Sequence, residues 1–286
     1  MKNNFTDHFS QEFDLNDKNL IAFIDELPLW SAPFGLTLLD TVNIRKGMKV
    51  LDIGFGTGFP LIELAQRLGT ASNVFGIELW ENALERAKQK VLIYGLNNIE
   101  LIYGTAEKLP FEDNYFDLIV SNNGINNVEN PERVLNECFR VSKLNAQLVF
   151  TLNLPETMKE FYDIFRAVLI KLDLKDEVNK IQEHIFSKRK PIEFIREIIN
   201  SSGFQIKNEI TKSFYLRFAD GTSFFNHFLI RLGFLKSWQN IVPQNMIKVT
   251  FESIENELNI YAQKKGELSF EIPYTCFDCK KELKNE

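Results

Sequence analysis

Three glycines alternate with other residues in Val50-Leu51-Asp52-Ile53-Gly54-Phe55-Gly56-Thr57-Gly58, and a carboxylate stands two positions ahead of the first. Glycine adopts backbone conformations that other residues avoid, and it lets the main chain approach a ligand closely. A short apolar run, Lys49 to Ile53, comes before, and Leu61, Leu64, Ala65 and Leu68 follow at i, i+3, i+4, i+7 spacing. The glycines therefore form a turn from a strand into a helix, the context in which such a turn holds a nucleotide-like ligand. Three details narrow the ligand. The spacing is G-x-G-x-G rather than the dinucleotide G-x-G-x-x-G, and no Gly-Lys-Ser/Thr follows to cradle a triphosphate. Asp52 would repel a pyrophosphate and suits an ammonium or sulfonium group.

Glu78 ends the next predicted strand, about 20 residues beyond Gly58, where an acidic side chain accepts hydrogen bonds from ribose hydroxyls and repels a 2′-phosphate. Gly104-Thr105-Ala106-Glu107-Lys108-Leu109-Pro110-Phe111 follows a third strand and is placed to frame an adenine. Asn122 and Asn123 end a fourth strand, where the reactive end of the ligand would lie. A cationic ligand bearing an adenosine fits these positions, and S-adenosylmethionine meets both conditions.

The elements that must position these residues alternate. Strands are predicted at 49–53, 74–79, 99–103, 116–121 and 148–152. Helices run from Leu61 to Gly69, around Leu84 to Tyr94, and from Asn130-Pro131, a cap residue before a first-turn proline. Alternation with continuously apolar strands implies an α/β domain with a parallel sheet covered on both faces, whose ligands bind at the carboxyl ends of the strands. The three predicted parts are a helical lead-in over 1–45, a ligand-binding core over 46–153, and a less regular remainder over 154–286. In the lead-in, Leu20, Ile21, Phe23, Ile24 and Leu27 fall at helical spacing before Pro28 and Pro33. In the remainder, helices are expected from Pro155 to about Phe186 and from Pro191 to Ser202. A long strand is expected over 204–218, a helical, aromatic-rich insertion over about 219–265, and a closing strand over 268–277.

Together these motifs, in this order, resemble the class I S-adenosylmethionine-dependent methyltransferases, most closely the group acting on small molecules, quinones and natural products. The resemblance is strong over residues 46–153. It implies a Rossmann-like, doubly wound, mostly parallel sheet of about seven strands with an N-terminal helical lid and a helical insertion before the last strand. By the same resemblance Gly54, Gly56 and Gly58 pack on the methionine part of the cofactor and Asp52 helps hold its amine. Glu78 takes the ribose hydroxyls, Leu79 lies beside the adenine, and Ala106 offers it an N–H. Relatives often carry Asp where Thr105 stands and Cys where Phe55 stands. The stretch Leu29 to Gly35 resembles the lid, which adds Trp30 to the expected cofactor contacts.

Methyl transfer requires acceptor, methyl and sulfur in line with water excluded, and a base only where the acceptor carries a tightly held proton. No catalytic base stands out. His8, His184 and His227 fit surface or packing roles better, and Cys276-x-x-Cys279 on a strand points its thiols to opposite sides. No cluster has metal-ligand spacing. Phe214, Tyr215, Phe218, Phe224, Phe225, Phe228, Phe234 and Trp238 form either the core of a helical cap or the wall of an apolar acceptor pocket. A net charge of -6 argues against a nucleic-acid partner, and the one basic cluster, Lys188-Arg189-Lys190, reads as a solvated helix end. Three cysteines and no apolar run of bilayer length point to a cytoplasmic enzyme acting on a small molecule, without membrane insertion. The competing assignments are a non-catalytic protein that binds the same cofactor and an NAD-dependent oxidoreductase, against which Asp52 and the glycine spacing speak.

Overall fold

The computed structural model describes residues 14, 16–26 and 29–282; His8, Leu27 and Pro28 lie outside them. Two helices, α1 (Lys18–Glu26) and α2 (Ser31–Thr41), precede an alternating series. It runs β1 (Lys49–Ile53), α3 (Leu61–Leu68), β2 (Asn73–Glu78), α4 (Glu81–Ile93), β3 (Ile99–Tyr103), β4 (Phe116–Asn122), α5 (Pro131–Val141) and β5 (Ser142–Asn153). Then come α6 (Lys159–Lys171), α7 (Lys175–Lys188), α8 (Ile192–Ser202), β6 (Phe204–Phe218), α9 (Gly221–Asn226), α10 (Phe228–Ile230), α11 (Lys236–Gln239), α12 (Ile247–Lys265) and β7 (Leu268–Lys281).

The seven strands lie in the order β3-β2-β1-β4-β5-β7-β6. Strands β1 to β5 pair in parallel, with Asp52 opposite Gly76 on one side and Val120 on the other. Strand β7 returns antiparallel along β5, with Phe150 opposite Phe277. The expected seven-stranded, mostly parallel Rossmann-like sheet is present. Alternate side chains feed a core on each face. Leu51, Ile53, Ile119 and Phe150 pack toward α5 and α8. Val50, Val74, Val120 and Val149 pack with α2, α3 and α4. Strand β7 divides its cysteines in the same way, Cys276 into one core and Cys279 into the other, and both are buried and free.

Helix starts follow local chemistry. The Asn130 side chain accepts from the Arg133 N–H and Pro131 occupies the first turn of α5. Gly69 closes α3 at φ 67°. The helix expected from Pro155 begins later: Met158 stands at φ 56°, and a second left-handed residue, Asp173, separates α6 from α7. The chain forms two compact units. One holds Leu15–Leu154, Arg189–Lys212 and Tyr274–Glu286, and the other includes Pro155–Lys188 and Ser213–Pro273.

The second of these has its own aromatic core. Phe161, Phe165, Phe224, Phe225, Trp238, Phe251 and Phe270 are at most 1% exposed. Trp238 stacks on Phe161 at 4.0 Å and donates its Nε1–H to the Tyr162 hydroxyl at 3.0 Å. Phe224, Phe225 and Trp238 are thus interior residues, their rings covered by one another and by Phe161. Phe214, Phe218 and Phe234 are part-buried, whereas Tyr215 and Phe228 reach the surface.

Candidate functional site

The β1–α3 turn opens onto a cleft of about 940 Å³ at the carboxyl ends of β1, β2 and β3. Gly54 and Gly56 form its floor at φ 70° and 56°, conformations that favour glycine. A Cβ on Gly54 would come within 3.1 Å of the Gly124 Cα, whereas one on Gly56 would meet no neighbour. Gly56 therefore leaves room toward a ligand. Gly58 does not: a Cβ there would strike Ile62 at 2.6 Å and Ala87 at 3.6 Å. The third glycine lets α3 and α4 pack against the turn and is not part of the cleft wall.

Glu78 holds this turn in shape. Its carboxylate accepts the Gly56 N–H at 2.8 Å through Oε2 and the Trp80 N–H at 2.8 Å through Oε1. Both are charge-assisted bonds, and each oxygen keeps a further lone pair for a hydroxyl in the cleft. Leu79 sits on the adjacent wall and is 62% exposed, an apolar surface suited to the face of a flat ring. On the opposite wall, Gly104, Thr105, Ala106 and Glu107 meet the segment leading into α5. The Thr105 hydroxyl donates to the Glu107 carboxylate and also accepts the Glu107 N–H. It is therefore engaged locally, with one acceptor lone pair left over. Glu107 also accepts the Glu129 and Asn130 N–H groups at 3.2 and 3.5 Å. Burial pushes its pKa upward, but the Thr105 bond and the N–H donors outweigh that and hold it below the usual carboxylate range.

Asp52 lies behind the glycine turn rather than on the cleft wall. It is fully buried, and neither carboxylate oxygen has a hydrogen-bond partner of good geometry. Burial raises its pKa well above the ordinary value, repulsion from Glu78 adds to this, and the Leu61 N–H at the start of α3 opposes it. A buried carboxylate beside a second carboxylate is a place where a cation is strongly favoured. The residues present thus fit a cationic, adenosine-bearing cofactor.

Four other expected contacts fall elsewhere. Phe55 is 1% exposed and its ring covers Gly76, where a Cβ would come within 2.5 Å of it. Its bulk goes into the core and not into the cleft. The Asn122 side chain donates to the Ser31 carbonyl at 3.0 Å and accepts from Thr151 at 2.9 Å. Asn123 stands at φ 63° and is bonded to Thr151, Asn126 and Asn153. Both asparagines tie strand ends together. Trp30 precedes α2, its ring 5.5 Å from Phe34, and is not part of the cleft lining. Conversely, Trp80, Gly124, Val128, Asn130 and Arg133 line the cleft without a motif to announce them. The one available signal was the Asn130-Pro131 helix start, because in this sheet a helix start faces the ligand edge.

His184 lies 6.2 Å from the Tyr162 ring and His227 lies 5.2 Å from the Phe218 ring, and neither lines the cleft. Burial lowers the pKa of His227. Among the described residues no group of His, Cys, Asp and Glu is arranged to hold a metal ion, and no helix is long and apolar enough to cross a membrane.

Strand order, glycine turn and acidic strand end together define the Rossmann-like class that binds S-adenosylmethionine. Residues 44–202, more than half of the chain, match the methyltransferase domain family, and the chain belongs to this S-adenosylmethionine-dependent methyltransferase family. It is 42% identical over 102 residues to a demethylmenaquinone methyltransferase of Geobacillus stearothermophilus, covering 36% of this chain and 44% of that one. It is 31% identical over 171 residues to the corresponding enzyme of Geobacillus kaustophilus, covering 57% and 73%. With that of Staphylococcus epidermidis it shares 35% over 159 residues, covering 55% and 62%. The matched stretch thus spans less than two thirds of two of these three relatives. Among solved structures, a putative methyltransferase of Bacillus halodurans superposes with a TM-score of 0.57 at 19% identity, covering 87% of this chain and 99% of that one. The [4+2]-cyclase SpnF superposes at 0.54 with 16% identity, covering 88% and 80%. At these identities the likeness is one of fold, and fold alone does not fix the chemistry.

Proposed function

We propose that this protein transfers the methyl group of S-adenosylmethionine to a small, largely apolar, ring-bearing acceptor of the quinone-related class. The observation that carries the cofactor side is Glu78, whose carboxylate organises the glycine turn and lines the cleft, which supports its reading as the ribose acceptor. The acceptor class is supported by the names of the relatives, all three of them demethylmenaquinone methyltransferases.

In this proposal the cofactor supplies an electrophilic methyl group on sulfur, and the chain supplies position and charge. Gly54 and Gly56 give the ligand's amino-acid part close access to main chain. Glu78 accepts ribose hydroxyls while keeping the turn closed. Leu79 covers one face of the adenine and Ala106 offers it an N–H. Asp52 acts through its field from behind the turn and favours a cation in front of it. The interlocked Asn122 and Asn123 fix the ends of β4 and β5, so that the reactive end of the cleft holds its shape.

The test has two arms. Isothermal titration with S-adenosylmethionine, S-adenosylhomocysteine and NAD is expected to show binding of the first two only. Incubation with S-adenosylmethionine and a reduced, unmethylated, short-chain prenyl naphthoquinone is expected to yield S-adenosylhomocysteine and a product heavier by one methylene. Binding of NAD alone would overturn the cofactor side. Cofactor binding without turnover on any quinol, phenol or enol acceptor would favour a non-catalytic binding protein.

A further inference from the structure

The cluster Lys188-Arg189-Lys190 is not a uniformly solvated helix end. Lys190 is exposed, but Arg189 is only 5% exposed, and its Nε and Nη1 are sealed from solvent with no hydrogen-bond acceptor. A guanidinium cannot shed its charge on burial as a lysine or a carboxylate can. A buried cation without a counter-charge is among the more costly arrangements a fold can carry, and an orphaned buried donor requires a reason. Nη2 is not among the sealed nitrogens, so one corner of the group opens outward.

The place of Arg189 in the fold adds to this. It leads into α8 through Pro191, which caps the helix with no side-chain acceptor. The one acidic residue of the first turn, Glu193, turns to Arg196 at 3.5 Å. The helix then feeds β6. Lys207, near the start of β6, borders a cavity with Arg45, Asp117 and Asn145, at the amino ends of β1, β4 and β5. The far end of α8 therefore lies at the amino edge of the sheet, and its first turn lies at the carboxyl edge, the edge that carries the cofactor cleft.

We infer that Arg189 is an anion-binding residue whose guanidinium receives a carboxylate or phosphate group of a small-molecule ligand at the start of α8, through the Nη1–Nη2 edge, which carries the open corner. A planar fork of N–H donors matches either oxyanion through two parallel bonds. The first-turn N–H groups of α8 and the exposed ammonium of Lys190 favour the same charge. This site goes beyond the proposed methyl transfer and does not depend on it.

The experiment is a thermal-stability titration of the full chain without cofactor. Sodium phosphate and sodium benzoate serve as probes, at ionic strength held constant with sodium chloride, on wild type, Arg189→Met and Arg189→Lys. In the wild type, Tm is expected to rise by about 2–4 °C at ten times the Kd of at least one probe. A response to phosphate alone marks a phosphoryl ligand, and a response to benzoate alone or to both admits a carboxylate. Arg189→Met is expected to be at least as stable as wild type without anion, since it removes an unpaired buried charge, and to show no anion response. Arg189→Lys, a point charge without the fork, is expected to need at least tenfold more anion, and it serves as the readout should Arg189→Met fail to fold. The inference is overturned if neither probe moves wild-type Tm beyond chloride, or if either variant responds at wild-type concentrations. Cofactor titration of the same samples keeps this outcome separate from the fate of the methyltransferase assignment.

Discussion

Glu78 and Asp52 share one turn and do different work. Glu78 is bonded twice to the main chain, so its removal frees two N–H groups and loses the ribose acceptor together. Glu78→Ala is expected to weaken S-adenosylmethionine binding by about 10–100-fold, the worth of one charged hydrogen-bonded pair, as read by isothermal titration. Glu78→Gln, with one remaining acceptor oxygen, should fall between. Asp52 makes no such bonds, and its effect runs through protonation. Its folded pKa is raised, first by burial and then by Glu78, whereas in an unfolded chain it ionises near the ordinary value of about 3.9. Between those two values the unfolded state holds fewer protons, so stability falls as pH rises through that window. Asp52→Asn is therefore expected to be more stable than wild type in urea melts at pH 8, with the difference shrinking toward pH 4, and to bind the cationic cofactor more weakly. A ligand cation favours the ionised carboxyl, so where Asp52 is still protonated, binding to wild type should release a proton. Titration in two buffers of different ionisation enthalpy would detect it, and equal heats in both would remove Asp52 from the binding reaction.

At the scale of elements, the decisive contacts lie between the turn after β1 and its neighbours. Gly124 approaches so closely that a Cβ would lie 2.5 Å from the Ile53 carbonyl and 2.7 Å from the Ser121 hydroxyl. Gly124→Ala must push the β4 loop away from the glycine turn. It is expected to cost about 1–3 kcal/mol of stability and to weaken cofactor binding, with denaturation and titration as paired readouts. Phe55→Ala is expected to cost about 3–5 kcal/mol, since the ring is sealed over Gly76. A change of ligand preference at full stability would instead put the ring in the cleft. These cases show what was legible beforehand. The strands, the glycine turn and Glu78 could be placed because period, spacing and residue type all act locally. Phe55, Gly58, Asn122 and Asn123 looked like cleft residues because they sit beside it in sequence. Their side chains are directed by partners far along the chain: Gly76 under Phe55, Ala87 against Gly58, and Ser31 and Thr151 on Asn122. Arg133 was missed for the converse reason, as its Nε reaches the Glu107 carbonyl at 3.1 Å from the first turn of α5.

At the scale of the molecule, the chain carries two interiors of different character. The sheet-bearing unit is filled mostly by aliphatic side chains from alternate strand positions, with rings such as Phe116, Phe150 and Phe277 among them. The helical unit is filled by rings, with Phe224 against Phe225 at 5.0 Å, Phe161 at 5.5 Å and Phe270 at 4.8 Å. The last two of these pairs bring together residues from different elements, so the rings hold α6, α9 and β7 in one body. An aromatic-rich segment is ambiguous in sequence because a buried ring and a pocket ring have the same composition; only the contact list separates them. The three tryptophans allow the distinction to be measured, since Trp30 and Trp80 belong to one unit and Trp238 to the other. In a background where Trp30 and Trp80 are replaced by Phe, fluorescence reports Trp238 alone. Phe224→Ala in that background is expected to lose about 3–5 kcal/mol, the cost of a large cavity that its neighbours only partly close, with an earlier urea midpoint at unchanged slope. Acceptor KM measured well below that midpoint should stay at the wild-type value. A variant of undiminished stability whose acceptor KM rises would show the opposite: that Phe224 meets the acceptor and that the rings of this unit are a binding surface.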